Sequence, residues 1–139
     1  MKKLILPVLV IGLLLACNSN PDGFNMEGSL SGEVENGTLV FLKKTDDANQ
    51  LIEVDTTTLE NGKFVFTGSS GLPELHYLLI PNVRGNIPVV IENGNIEVSA
   101  QKDSLAYAKI GGTLQNDLFA NFLEESRGMA KRAKSMSDE

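Results

Sequence analysis

Residues 51–68 read LIEVDTTTLENGKFVFTG. Ile52, Val54 and Thr56 alternate with Glu53, Asp55 and Thr57, the period-two pattern of a strand with one buried and one wet face. Lys63 to Thr67 is a second β-rich run, and Asn61-Gly62 lies between the two. Asn and Gly both tolerate the positive φ that a type I′ turn needs at its central residues, so the stretch reads as a β-hairpin. The dipeptide recurs as Asn36-Gly37 and Asn93-Gly94, again between apolar, β-rich runs. Three such signals at similar spacing predict an antiparallel all-β domain.

On either side the strands follow the same logic. Phe24 to Glu35 holds one or two, broken by Gly28 and Gly32, and Thr38 to Leu42 pairs back onto it. His76 to Ile80 comes next, then Ile87 to Glu92, where Pro88 puts the strand at a sheet edge or at its own first residues. Asn95 to Ala100 alternates Ile96 and Val98 with Glu97 and Ser99; Ala106 to Ile110 is a last short strand, ended by Gly111-Gly112. About eight short strands with regular turn signals predict an antiparallel β-sandwich over residues 24–112.

The period changes after Gly112. Thr113 is placed to N-cap a helix with Asp117 in its first turns. Leu114, Leu118 and Phe122 recur every four residues, and Phe119 with Leu123 widens the stripe. This predicts one C-terminal amphipathic helix, weakened or ended at Gly128, and a charged tail, together residues 113–139. The apolar face has to be covered. The β-sheet is expected to take Leu118 and Phe122, with the segment beyond Gly128 left to a partner.

The other end of the chain has a different character. Lys2 and Lys3 precede an apolar run, Leu4 to Leu15, that ends in Leu14-Leu15-Ala16-Cys17. A helix over that run spans about 18 Å, short of a bilayer core of about 30 Å, so it reads as a signal h-region and not as a membrane span. Leu14 to Cys17 resembles the lipobox of bacterial lipoproteins. Small Ala16 admits a signal peptidase to the Ala16–Cys17 bond, and the Cys17 sulfur takes the lipid. Residues 1–16 are thus expected to be a lipoprotein signal peptide, and 17–23 the lipidated Cys17 with a polar Pro/Gly linker reaching at most about 20 Å. A Cys bearing several acyl chains holds a membrane stably. Asn18 is not Asp, so retention at the inner membrane is not signalled. The expected location is the cell envelope, lipid-anchored at the outer membrane.

Composition is that of an ordinary globular chain: 139 residues, 42% apolar and 22% charged. The net charge is −6, and it becomes −8 once Lys2 and Lys3 leave with the signal peptide. So acidic a surface argues against nucleic acid and against a general electrostatic hold on anionic lipid. Cys17 is the only cysteine. It excludes an internal disulfide and a Cys-only metal site.

From Phe24 onward the chain resembles a domain of unknown function found in lipoproteins of the Bacteroidetes group, commonly N-terminal to thioredoxin-like domains of the thiol-disulfide oxidoreductase or peroxiredoxin type. The likeness rests on Phe24 to Gly28, Val40 to Leu42, Val54 to Thr56, Asn61 to Gly68, Pro88 to Ile96, and Ile110-Gly111-Gly112-Thr113-Leu114-Gln115-Asn116. The resemblance implies a fold and a compartment. It supplies no catalytic residue, because no Cys-x-x-Cys follows here. Either this is part of a longer redox protein or a stand-alone member.

No catalytic residue, cofactor or metal is implied by the residues themselves. His76, the only histidine, has Glu74 as its only near acid and reads as a strand-flanking surface residue. Asp46, Asp47, Glu53 and Asp55 lack EF-hand spacing and read as a solvated hairpin end. Gly111-Gly112 reads as a β-to-α turn more simply than as a phosphate cradle, and Lys131, Arg132 and Lys134 as cations near a helix C-terminus. Asp55-Thr56-Thr57 and Asp103-Ser104-Leu105 resemble the Asp-Ser/Thr O-glycosylation motif of Bacteroidetes. Ser104 is the better acceptor, because Thr56 falls on the inward face as read here. Three functions compete: a non-catalytic membrane-tethered spacer or docking module, partnered through Leu114, Leu118, Phe119, Phe122 and Leu123 by a thioredoxin-like domain or another protein; a stand-alone periplasmic ligand- or partner-binding lipoprotein; and an enzyme with an unrecognised site. The first is preferred.

Overall fold

The computed structural model describes residues 22–138. The stretch expected to be a signal peptide, with Ala16 and Cys17, lies outside the described residues. Among these residues there are eight strands: β1 (Phe24–Ser31), β2 (Leu39–Thr45), β3 (Leu51–Thr58), β4 (Lys63–Gly68), β5 (Glu74–Leu79), β6 (Ile87–Ile91), β7 (Gly94–Gln101) and β8 (Lys109–Gly111). A 3-10 segment, Lys102–Tyr107, joins β7 to β8, and helix α1 (Leu114–Ser137) follows. The strands form two four-stranded sheets, ordered β4-β1-β7-β8 and β3-β2-β5-β6.

The arrangement is sandwich-like, and alternation explains it. Phe24, Met26 and Leu30 of β1, Phe64 and Phe66 of β4, and Ile96, Val98 and Ala100 of β7 are buried. From the other sheet come Val40 and Leu42, then Leu78, then Ile87, Val89 and Ile91. Every second residue enters one shared core while its neighbours face outward.

Two expectations about pairing need correction. The domain is not wholly antiparallel, because β1 and β7 pair in parallel, from Phe24 opposite Gly94 to Ser31 opposite Gln101. Nor do the Asn-Gly turns join paired strands. Asn36-Gly37, Asn61-Gly62 and Asn93-Gly94 each lie where the chain passes from one sheet to the other. Asn61 and Gly62 do take the positive φ of a type I′ turn, 52° and 73°. Glu60 and Lys63 exchange both backbone hydrogen bonds, at 2.9 and 3.0 Å. Pairing then stops, because β3 continues against β2 and β4 against β1. A tight turn reverses the chain but does not choose the layer into which each arm falls. The paired hairpins are β2–β3, β5–β6 and β7–β8.

Gly28 does not break its strand. It sits within β1 opposite Phe64, and a Cβ there would stand 2.0 Å from Cζ of the Phe64 ring. The missing side chain is the seat of an aromatic one.

Strand β3 is also not half-buried. Ile52 and Val54 are 41% and 48% exposed. It is the outer strand of its sheet, and a bulge opposite Leu42/Lys43 resets its alternation. Thr57 and Asp55 pair with the inward-facing Val40 and Leu42, whereas Thr56 pairs with Phe41 on the opposite face. The inward placement of Thr56 is therefore reversed. Strand β6 is an edge strand with Pro88 as its second residue, as the sequence suggested.

Helix α1 runs 24 residues, through Gly128 rather than ending there. Its length is about 36 Å. No helix of the described residues is long and apolar enough to cross a membrane.

Candidate functional site

A cleft of about 290 Å³ lies at one corner of the sandwich. It is bounded by Leu42 and Lys44 of β2, Val54 and Asp55 of β3, Glu74 and His76 of β5, Phe24, Ile91 and the 67–72 loop. His76 is buried, contrary to the surface position read from the sequence. It alternates with Leu78 on the inward face of β5, and strand periodicity overrides its polarity. Its Nδ1 is 3.0 Å from the Glu74 carbonyl oxygen, and its Nε2 is 3.7 Å from Glu74 Oε2. The Lys44 ammonium donates to both Glu74 carboxylate oxygens, at 3.2 and 3.3 Å. Both members of that ion pair are solvated, so it contributes little to stability, about 0–1 kcal/mol. The corner thus holds an imidazole, a carboxylate and an ammonium around an apolar floor, a set suited to holding a small polar ligand.

The remaining acidic residues are engaged locally. Asp46 Oδ1 accepts the N–H groups of Ala48 and Gln50 and closes the β2–β3 loop. Asp55 accepts the Thr56 N–H, and Glu53 accepts the Thr56 hydroxyl at 2.6 Å. Among the described residues no group of three His, Cys, Asp or Glu side chains is placed to hold a metal ion. At Gly111-Gly112, the Gly112 N–H donates to Asp117 Oδ1 at 3.1 Å, so the protein's own carboxylate occupies the place an anion would take. Gly112 has φ +93°, and a Cβ there would meet the Asn95 carbonyl oxygen at 2.4 Å. Ser104 is half-buried in the 3-10 segment, which is kinked at that residue. Thr56 is half-buried on β3.

The sheet that carries β1 has an open outer trough of about 590 Å³, walled by side chains such as Glu27, Lys63, Glu97 and Lys109. Cations and anions there are mixed, which gives the trough no net preference for a charged ligand.

The helix meets the sandwich through a residue the sequence reading had not singled out. Asn116 is fully buried. Its Oδ1 accepts the Val90 N–H at 2.9 Å, and its Nδ2 donates to the Val90 carbonyl at 2.7 Å and to Thr113 Oγ1 at 2.8 Å. Thr113 occupies the N-cap position but makes no side-chain cap bond. The Gln115 N–H is met instead by Glu92 Oε1, at 2.7 Å. Farther along, the Arg127 guanidinium donates to the Ala106 carbonyl and lies 5.2 Å from the centroid of the Tyr107 ring.

The packing of α1 departs from expectation. Phe119, Ala120 and Leu123 rest against the core, but Leu118 and Phe122 do not. They are 56% and 61% exposed, and Leu114 is 69% exposed. With about 3.6 residues per turn, Asn116 points at β6, so Phe119 and Leu123 follow it inward while Leu118 and Phe122 rotate out.

Residues 24–119 match the family described as a domain of unknown function, DUF4369. The chain belongs to that family. The match takes in both sheets and ends within the first turns of α1, just past Asn116. No curated protein matches the chain. No solved structure does either.

Proposed function

We propose that this chain is a non-catalytic, membrane-tethered docking module of the bacterial cell envelope. The observation that carries the reading is the outward apolar stripe of α1, Leu114, Leu118 and Phe122, left uncovered while the opposite face grips the sandwich. Burying a Leu or Phe gains about 1.5–3 kcal/mol, so such a stripe suits a partner. The tether is Cys17, acylated after cleavage behind Ala16, and the short 17–23 linker keeps the domain close to the outer membrane. The resemblance to Bacteroidetes lipoproteins points to a thioredoxin-like redox domain as the partner in longer relatives. The role here is to space or orient that partner. Ser104 in Asp103-Ser104-Leu105 is the O-glycan acceptor, and Thr56 a lesser one.

Two measurements in the native host test this. Mass spectrometry of the mature N-terminus is expected to give a lipid-bearing Cys17, and Cys17→Ala is expected to leave the membrane fraction; an unmodified Cys17 refutes the tether. A Phe122→Cys variant is expected to be shielded from a maleimide in the intact envelope and labelled freely once purified. Equal labelling in both refutes docking.

A second reading is favoured by the His76 corner: a stand-alone periplasmic protein taking a small polar ligand against Lys44, Glu74 and His76. Under that reading a bound ligand broadens the His76 imidazole resonances of the purified protein. Docking alone predicts no such effect.

A further inference from the structure

Tyr107 ends the 3-10 segment with an aromatic ring that is 71% exposed. Its backbone is nevertheless held from two sides. Leu105 is sunk in the core, and the Ala108 N–H donates to the Leu105 carbonyl at 3.0 Å. The Arg127 guanidinium donates to the Ala106 carbonyl and lies 5.2 Å from the centroid of the ring. A cation over one face leaves the other face to solvent. The ring is thus a fixed platform, and little ordering is left for a ligand to impose.

Two hollows flank it. One, of about 540 Å³, lies between the 3-10 segment and the 82–85 loop and presents Asn82, Arg84, Lys102 and Asp103. The other, of about 350 Å³, presents Ser31, Gln101 and Lys109. Tyr107 and Ser104 line both. Both volumes fall in the range of small-molecule pockets, about 300–1,000 Å³.

Charge sets this ground apart from the rest of the molecule. The chain carries −6 overall, yet Arg84, Lys102, Lys109 and Arg127 surround Tyr107, and Asp103 is the only carboxylate that lines either hollow. The ion pairs among the described residues join Glu74 to Lys44 and to His76, so no carboxylate there stands within 4 Å of any of the four cations. Lys102 and Arg127 donate instead to the backbone carbonyls of Glu33 and Ala106, which fix their positions and leave their charge uncancelled.

We propose that Tyr107 and the hollows beside it bind a short acidic oligosaccharide, one sugar ring stacked on the open face of Tyr107 and its acid groups paired with Arg84, Lys102 and Lys109. An aromatic face takes the C–H side of a sugar ring, and charge-assisted hydrogen bonds take the carboxylates. Asn82, Gln101 and Ser31 offer the donors and acceptors that sugar hydroxyls need. A nucleic acid would also use a ring and cations. Its charged backbone, however, continues past the site over a domain that is acidic elsewhere, whereas a short glycan ends within the hollows. The site shares no residue with the outer stripe of α1 or with the His76 corner, so it stands without either.

Calorimetric titration, with NMR of the Tyr107 ring, tests it. The full chain is made in a host that adds no O-glycan, because a glycan on Ser104 would lie on the same ground. The trimer of galacturonic acid, at low salt, is expected to bind and to shift the Tyr107 ring resonances. Maltotriose, a neutral trimer, is expected to bind at least about tenfold more weakly, the scale of a lost hydrogen bond to a charged group. Tyr107→Ala and the double variant Arg84→Gln/Lys102→Gln are each expected to weaken the acidic trimer by a similar factor. Lys131→Gln, farther along α1, is expected to leave it unchanged; circular dichroism shows that each variant is folded. No shift at Tyr107 with the acidic trimer at millimolar concentration would overturn the site. Equal affinity for the two sugars, or an equal loss in Lys131→Gln, would overturn the assignment to these cations. Tighter binding of a thymidine oligonucleotide than of the acidic trimer would replace the glycan by nucleic acid.

Discussion

Asn116 of α1 hydrogen-bonds both polar groups of one residue, Val90, on the edge strand β6. Its carboxamide presents an acceptor and a donor with the spacing of a peptide group, so it stands in for one residue of a missing neighbouring strand. An unpaired edge invites wrong pairing; here a single side chain occupies it and fixes where the helix starts. No buried side-chain polar atom among the described residues is left without a partner.

Asn116→Ala is therefore expected to destabilise the domain by about 1–3 kcal/mol, because the Val90 peptide loses its partners while staying half-buried. Asn116→Asp is expected to cost a similar amount, since a carboxylate cannot donate to the Val90 carbonyl. Urea unfolding followed by circular dichroism reads both. An unchanged midpoint for Asn116→Ala would show that the helix is not anchored through this contact.

Gly28→Ala is expected to be costly although it adds one methyl group, because the Phe64 ring occupies that space. Overpacking of this kind costs about 1–3 kcal/mol. Combining it with Phe64→Leu is expected to cost less than the sum of the two single changes, since the smaller side chain yields room. Strict additivity in the double-mutant cycle would argue against the contact.

The two faces of α1 are expected to answer differently to truncation. Leu123→Ala and Phe119→Ala remove packing against the core and are expected to lower stability measurably. Phe122→Ala, on the outer stripe, is expected to stay within about 0.5 kcal/mol of wild type for the monomeric domain. Thermal unfolding of the three variants at low concentration distinguishes them. A large loss for Phe122→Ala would show that the sheet covers it after all.

Thiol-disulfide exchange needs a free thiolate, and the only sulfhydryl in the chain is Cys17. If that sulfur is acylated as proposed, insulin reduction by the purified protein is expected to stay at the uncatalysed rate. Activity above it would return the chain to the enzymes.

For the glycan, intact mass of protein from its native host is expected to fall by one glycan on Ser104→Ala. Thr56→Ala is expected to change it less, because the Thr56 hydroxyl is already bound to Glu53. Equal masses for wild type and Ser104→Ala would end the assignment.

Period-two alternation in β7 was legible along the chain, because a strand's inward face is a local pattern set by the pleat, whereas the alternation read in β3 was not the burial it took. Legible too were the change to helical period after Gly112 and the edge position of β6, since Pro88 has no N–H to give a second neighbour. Pairing was not: Asn61-Gly62 has the backbone of a hairpin turn, yet its two arms enter different sheets, and β1 finds β7 in parallel some seventy residues later in the register Phe24 to Gly94. That choice belongs to the burial of both sheets together, and no short window contains it. The bulge opposite Leu42/Lys43 turned Thr56 to the other face for the same reason, as it exists only between two strands. His76 and Asn116 were misjudged or missed because a polar side chain reads as exposed until its partners are known; Glu74 and Val90 supply them only in the folded chain. The helix stripe was visible in sequence, but which part of it would be covered depended on rotation about the helix axis, and that rotation is set by one buried carboxamide.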